Sequence, residues 1–497
     1  MRELSIISFN VNGLISFTKR RGYTESTFSK LIDNICVNDE VTNANLNVKS
    51  PDIICLQECK MSFGDDLNNS IGCPGNYESY FSLAENNKRY SGVATYCSKR
   101  TAVIEAARGF SWLESNPYQF DINQMIQTEE LQEIEFNISK IKDRYGISIS
   151  EIDREGRCVI TDHKQFLLLN LYVPLLRSKA EEKEEKEKEA ILIETQNQIE
   201  TQAELSEAVC PERLKYRLAF QEYLNLLLHV LGNACKRNVI LAGDFNIILE
   251  KIDCYDDCGI LDNCKLAPYV STNTEEISEI SSFTTAYMHI RRMNIEMIKE
   301  YCLVDAYRHY YPRTSNKYTC WNQMNQSRIR NQGTRIDLFL VSKGLISESI
   351  KCEILDHIYG SDHCPILLIL KTGELESSYN NEKRKPPGIC SKYLPQCKQR
   401  QSTISQFLTF SKNGGQINKT IRGHDFKINN KISLNHPQCK HGIPCVKKKV
   451  TKSGINKGRL YWSCSKSDQQ KCNTFSWIEE TNSNCKTNHD LKNFVIR

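Results

Sequence analysis

Eight short apolar runs punctuate the first 370 residues, and their spacing limits what the chain can fold into. They are Leu4–Phe9, Pro51–Leu56, Ser91–Tyr96, Arg157–Thr161, Phe166–Tyr172, Val239–Ala242, Arg335–Val341 and Pro365–Leu370. Each is brief, rich in Ile, Val, Leu and Phe, and bounded by turn residues, which is the signature of buried strands. Between them, Glu25–Cys36 and Arg213–Leu231 carry helical periodicity. Such a mixture folds as a large α/β domain with sheets packed between helices. Lys179–Gln202 interrupts the pattern between two strands; it is charge-dense and built of helix formers, and reads as a solvated helical insertion over about 176–212 or as a partner-binding helix.

Past residue 370 the character changes. Residues 371–497 hold 24 Lys and Arg against 8 Asp and Glu, a balance of +16, whereas residues 1–370 hold 41 against 52, a balance of −11. A basic arm on an acidic body seeks a polyanion. Residues 372–435 lack periodic apolar content and read as a basic disordered linker. Regularly spaced Cys, His and aromatic residues then fill 436–480, followed by a tail over 481–497. The chain has 22 cysteines. No apolar leader follows Met1-Arg2-Glu3-Leu4, and no stretch approaches the ~18 apolar residues of a membrane span. The expectation is a soluble chain in a reducing compartment, without membrane contact, its cysteines serving as small buried hydrophobes or metal ligands.

Four polar motifs stand at or just past the ends of apolar runs, where α/β folds commonly carry function. They are Ser8-Phe9-Asn10-Val11-Asn12-Gly13, Leu56-Gln57-Glu58, Gly243-Asp244-Phe245-Asn246 and Ser361-Asp362-His363-Cys364-Pro365. Their carboxylates and amides are hard oxygen ligands of the kind Mg²⁺ takes, alongside water and substrate phosphate. Singly each motif is unspecific, since a lone Gly-Asp-Phe-Asn is more often a turn. All four in this order resemble the exonuclease–endonuclease–phosphatase superfamily, and within it the class II AP endonucleases of the exonuclease III type. The likeness extends over residues 1–371 through Tyr90-Ser91-Gly92-Val93, Glu155-Gly156-Arg157, Leu171-Tyr172-Val173-Pro174, Leu303 to Arg308, Tyr318-Thr319-Cys320-Trp321 and Arg335-Ile336-Asp337.

The resemblance implies a four-layer α/β sandwich, two packed mixed sheets flanked by helices, with a small zinc-stabilised C-terminal module. It also implies roles. Glu58 and Asp362 would bind Mg²⁺ (Mn²⁺ as substitute), with Asn10 orienting the metal or the nucleophile; Asp244, Asn246 and His363 would line the same metal site. Asp244 would be the general base, Asn246 would hold the developing oxyanion, and His363, oriented by Asp305, would contact the scissile phosphate. Tyr172 would donate to the phosphate or the leaving group. One departure stands at Asn12, where many relatives carry Asp; losing that charge should weaken metal binding or change how the site holds its metal. The second paralogue group of eukaryotic AP endonucleases also tends toward Asn there.

In the tail, Gln401, Ile404, Phe407 and Leu408 are spaced like the peptide that sliding clamps such as PCNA bind, with Leu408 where an aromatic is usual. Lys383-Arg384-Lys385-Pro386 is a modest basic cluster consistent with nuclear import or simply with phosphate attraction; a mitochondrial fraction stays compatible with the sequence. Cys439, His441, Cys464 and Cys472 make a tetrahedral Zn²⁺ set, with Cys445 a competing ligand. The segment resembles the GRF-type zinc finger, a single-stranded nucleic-acid binder, which implies DNA contacts by Lys457, Arg459 and Tyr461 before Trp477, which is expected to pack inside. The combined expectation is a Mg²⁺-dependent repair phosphodiesterase acting at abasic sites and blocked 3′ ends. Its rivals are a same-fold nuclease or phosphatase on RNA or inositol phosphates, and a non-catalytic clamp or checkpoint scaffold.

Overall fold

The computed structural model describes residues 2–372 except 39–47, 65, 86–88, 102, 118, 121–125, 177–209, 256–281 and 324–325; it then describes 385–397, 439–441, 445–450, 459–464, 472 and 475–477. Two units result, Met1–Phe407 and Leu408–Arg497.

The first unit is built on two six-stranded sheets. One has the order β13-β14-β1-β2-β4-β3, with β1 (Arg2–Asn10), β2 (Ile53–Gln57), β3 (Tyr77–Ser82), β4 (Val93–Ser98), β13 (Ser349–Ile354) and β14 (Ile366–Thr372). The other has the order β5-β6-β7-β8-β12-β9, with β5 (Ala106–Arg108), β6 (Cys158–Asp162), β7 (Leu167–Tyr172), β8 (Val239–Asp244), β9 (Leu303–Asp305) and β12 (Asp337–Ser342). Alternate residues of each strand face the partner sheet: Leu4, Ile6, Ile53 and Val93 from one meet Val159, Leu168, Ile240 and Phe339 from the other. The outer face of the first sheet is covered by the helices Leu14–Arg20 and Phe28–Asp33, and that of the second by Thr128–Tyr145, Pro211–Leu228 and Phe283–Glu300. These are the four layers the resemblance implies. A two-stranded ribbon, β10 (Cys320–Trp321) with β11 (Gly333–Thr334), stands apart from both sheets.

Pairing directions set the site. β1 runs parallel to β2, and β7 parallel to β8, so the C-terminal ends of each pair share one rim. β12 runs antiparallel to β8 with Asp337 opposite Asp244, which brings its first residue to that rim. β14 runs antiparallel to β1 with Ile366 opposite Ser8, so the loop before it arrives there too. A buried polar pin holds the sheets together underneath: Asn170 accepts from Gln57 Nε2 at 2.8 Å and donates to the carbonyl of Ala94 at 3.0 Å.

The linker reading gives way over residues 385–397. That stretch forms two 3₁₀ turns, Ser391–Tyr393 and Pro395–Cys397, and packs on the first unit, where Gln396 Nε2 donates to the carbonyl of Phe63 at 2.6 Å. Cys390 and Cys397 are buried there, and their packing supplies what periodicity did not signal. In the second unit, β15 (Val446–Lys449), β16 (Leu460–Ser463) and β17 (Phe475–Trp477) form an antiparallel sheet. Residues 177–209 of the charged insertion and the peptide carrying Gln401, Ile404, Phe407 and Leu408 lie outside the described residues, while the insertion's last residues, 211–212, begin the helix Pro211–Leu228. No helix among the described residues is long and apolar enough to cross a membrane.

Candidate active site

At the shared rim, side chains from both sheets converge. Asn10, the last residue of β1, donates through Nδ2 to Glu58 Oε1 and to Asp244 Oδ2, each at 3.0 Å, and so bridges the sheets. Glu58 also pairs with Lys60 Nζ at 2.8 Å and takes a hydrogen bond from the Tyr172 hydroxyl. Lys60 Nζ donates to Asn12 Oδ1 at 2.6 Å, while Asn12 Nδ2 donates to both oxygens of Asp362 at 3.0 Å. Asn12 thus does what Asp could not, accepting from an ammonium and donating to a carboxylate at once. Arg157 places Tyr172: its guanidinium lies 4.6 Å over the ring and donates to the Tyr172 carbonyl at 3.0 Å.

His363 is buried, and its partner is Asp337. Nδ1 donates to Asp337 Oδ2 at 2.7 Å, while Nε2 faces Asp244 Oδ2 at 3.9 Å. The expected orienting residue, Asp305, is engaged elsewhere. It accepts from Arg335 Nη2 at 2.7 Å and caps the helix Ala306–Tyr310 by accepting from the Arg308 backbone N–H. Strand register explains the correction: Asp305 pairs with Leu340, three residues along β12 from Asp337, roughly 10 Å away from the rim at ~3.3 Å per residue. Thr319 Oγ1 accepts from the backbone N–H groups of Ile336 and Asp337 at 3.1 Å and fixes the strand end. The sequence did carry a signal for Asp337: Arg335-Ile336-Asp337 is one of the motifs of the family likeness and stands in a strand-like run, but nothing in it tied that carboxylate to His363.

Backbone strain concentrates here. Asn12, Glu58, Lys60 and Asn246 all lie in the left-handed region, at φ 47°, 49°, 51° and 51°. For Glu and Lys that conformation costs about 1–2 kcal/mol each, so the surrounding contacts hold it in place. Asn246, two residues past the end of β8, donates its backbone N–H to Asp244 Oδ1 and one Nδ2 hydrogen to the carbonyl of Val173, each at 2.9 Å.

Charge follows geometry. Burial, helped by Asp337 and Glu58 and opposed by His363, pushes the Asp244 carboxyl up to about 7. His363 is held well above the ordinary imidazole range, because the attraction of Asp337 overcomes burial. Asp337 is fully buried against it. Although burial opposes it, Lys60 draws the Glu58 carboxyl below its ordinary range, with the Asn10 amide assisting. Asp244, Asp337 and His363 bring ligand atoms within 4.8 Å of one another. We read them as an ion-paired relay rather than a metal seat, since Asp337 already occupies Nδ1. The divalent-cation fit lies on the Glu58 side. Among the described residues, Glu58, Asp337 and Asp362, with Asp244 when ionised, face only Lys60 and imidazolium as contacting cations, and the uncompensated charge is negative. Hard carboxylate and amide oxygens of Glu58, Asp362, Asn10 and Asn12 suit such an ion.

Residues 7–363 match the model of the Endonuclease/Exonuclease/phosphatase family. The chain belongs to that family. Residues 437–481 match the GRF zinc finger. The chain is 27% identical over 425 residues to DNA-(apurinic or apyrimidinic site) endonuclease 2 of Xenopus laevis, covering 82% of itself and 66% of that protein. Its identity to the Homo sapiens protein of the same name is 24% over 466 residues, covering 92% of itself and 75% of that protein. The chain therefore spans about two thirds to three quarters of these curated relatives. The crystal structure of the Xenopus laevis APE2 catalytic domain aligns with 80% of this chain and 100% of its own, at 24% identity and a TM-score of 0.49. In family terms, the structure brings Asn10, Glu58, Tyr172, Asp244, Asn246, Asp362 and His363 to one rim and leaves Asp305 off it.

In the finger, Cys439, His441, Cys464 and Cys472 place their ligand atoms within 4.8 Å of one another, and His441 Nδ1 stands 3.6 Å from Cys439 Sγ and 3.5 Å from Cys464 Sγ. Cys445 is buried beside them but outside the group of four. Register puts Lys448, Tyr461 and Trp477 directly opposite one another on one sheet face. Trp477 does not pack inside: it is half-buried, carries Arg459 at 4.1 Å over its ring, and meets Tyr461 and the exposed Phe475 edge-on. Trp462 points the other way, toward the cysteines. Lys457 lies outside the described residues.

Proposed function

We propose that this chain hydrolyses DNA phosphodiesters with Mg²⁺ or Mn²⁺, cutting beside abasic sites and trimming damaged 3′ ends as a nuclear base-excision-repair enzyme. The observation that carries the reading is the Asn10 bridge. It joins a carboxylate–amide cation seat on one sheet to a buried aspartate on the other, the aspartate poised to exchange a proton near neutral pH. Glu58 and Asp362, with the amide oxygens of Asn10 and Asn12, hold the ion, which when bound offsets charge on the phosphate oxygens. Asp244 takes the proton of the attacking water, work worth about 10²–10⁴-fold when the base titrates near the operating pH. His363 meets the phosphate as an imidazolium with Asp337 fixing its ring, while Asn246 and Tyr172 donate to oxygens that gain charge.

In the same proposal, zinc closes the finger through Cys439, His441, Cys464 and Cys472, and the face of Lys448, Arg459, Tyr461, Phe475 and Trp477 stacks single-stranded DNA, with Lys457 adding phosphate attraction. The peptide with Gln401, Ile404, Phe407 and Leu408 docks on a sliding clamp.

The test uses labelled abasic, 3′-blocked and recessed duplexes in Mg²⁺ and in EDTA, with poly(A) RNA and inositol phosphates as further arms. Wild type should cleave only the DNA, only with metal, and Asp244→Asn should bind DNA without cleaving it. Inertness with every divalent ion, preference for RNA or inositol phosphates, or full activity of Asp244→Asn would overturn the reading.

A further inference from the structure

Where the 385–397 strap lies on the first unit, two thiols meet. Cys73 closes the short helix Asn69–Gly72, and its backbone N–H donates to the carbonyl of Asn69 at 2.9 Å. Cys397 ends the strap, buried, with its Sγ 3.5 Å from the carbonyl of Asn68. Gly72 makes the approach possible: a β-carbon there would lie 2.4 Å from Cys397 Sγ. The two sulfurs share a hydrogen bond, and both are free thiols. Their environments differ. Cys73 is half-exposed, and that bond, with Lys99 and Lys392 nearby, draws its thiol down to about 7 against the effect of burial. Cys397 is pushed up, by the same bond and by burial. One sulfur is thus accessible and thiolate-prone and the other is protected, the division of labour of an attacking and a resolving cysteine.

We propose that Cys73 and Cys397 form a redox site that closes to a disulfide under peroxide and fastens the strap to the catalytic unit. The Cys73 thiolate attacks one peroxide oxygen; an S–O bond forms, the O–O bond breaks, and hydroxide leaves to become water with the proton Cys73 gave up. The Cys397 thiol then gives up its proton and attacks the sulfenic sulfur. The S–S bond forms, the S–O bond breaks, and a second water departs. Two thiols lose two electrons and one peroxide gains them. Disulfide exchange with a dithiol reverses the change. The strap directly precedes the basic tail in sequence, so the bond would fix the last described residue before that tail.

The full chain is exposed to limiting hydrogen peroxide, its remaining thiols are blocked with a maleimide, and disulfide-linked peptides are mapped by mass spectrometry. Cys73 should react about tenfold faster than an ordinary thiol, because only the thiolate attacks, and the dominant linkage should be Cys73–Cys397. Oxidation should slow tryptic cleavage after Lys392, with dithiothreitol restoring it. Cys73→Ser and, independently, Cys397→Ser should abolish that protection and leave DNA cleavage by the reduced enzyme unchanged. A dominant linkage of Cys73 to Cys390, overoxidation of Cys73 without any linkage, or protection that survives in both variants would overturn the proposal.

Discussion

Replacing Asp337 by Asn tests the correction at the centre of the site. The change is nearly isosteric and keeps β12 paired with β8, but it removes the charge that holds His363. The bond lost is a buried, charge-assisted one of 2.7 Å. Such bonds contribute about 1.5–3 kcal/mol net, and at about 1.4 kcal/mol per tenfold in rate that is about 10- to 10²-fold. Loss of the imidazole's fixed tautomer adds to this. The pH profile should move as well. Asp337 is among the groups that raise Asp244, so, over the pH range where His363 stays an imidazolium, its removal lowers the base's pKa from about 7 and shifts the rising limb of the rate to lower pH. Single-turnover cleavage of an abasic duplex from pH 5 to 9, for Asp337→Asn and Asp305→Asn side by side, is the measurement. If Asp337→Asn stays within threefold of wild type while Asp305→Asn loses two orders of magnitude, the assignment from register is wrong and Asp305 orients the histidine after all.

Further predictions concern stability and metal. Glu155 sits between Arg157 (2.5 Å) and Arg213 (2.8 Å), which hold its carboxyl down to about 2 despite burial. A depressed carboxylate stabilises the fold above its unfolded pKa, and that contribution, up to about 3 kcal/mol, should disappear as pH falls from 4.5 toward 2; acid titration of Glu155→Gln should show a flatter loss across that window. Gly156 has φ +65° and would place a β-carbon 2.4 Å from the Leu83 carbonyl carbon, so Gly156→Ala should lower chemical-denaturation stability by about 2 kcal/mol or more. Asn12→Asp sets a carboxylate against Asp362, so Tm in EDTA should drop by a few degrees and the Tm gain on adding Mg²⁺ should grow; an unchanged metal increment would remove Asn12 from the cation seat. Cys464→Ala should weaken single-strand binding in a fluorescence titration while short duplexes are still cut; equal loss in both assays would refute that separation.

Much of this was legible in the residues themselves. Strand period and turn chemistry are local, so the runs that became β1, β2, β4, β6, β7, β8, β12 and β14 announce themselves, as do the polar residues at their ends. The finger's candidate ligands are local too, because Cys and His that can serve a metal recur at short spacings. What stayed hidden was non-local. β3, β5, β9 and β13 are held by neighbours rather than by their own pattern, and residues 385–397 are ordered by a surface they do not encode. The His363 partner was hidden for the same reason: Asp305 and Asp337 are equally good carboxylates in sequence, and only the register of β12 against β8 and β9 decides which one reaches the rim. Composition and order chose the chemistry of the site; strand pairing chose which atoms touch, because a shift of three residues along a strand moves a side chain farther than any hydrogen bond can span.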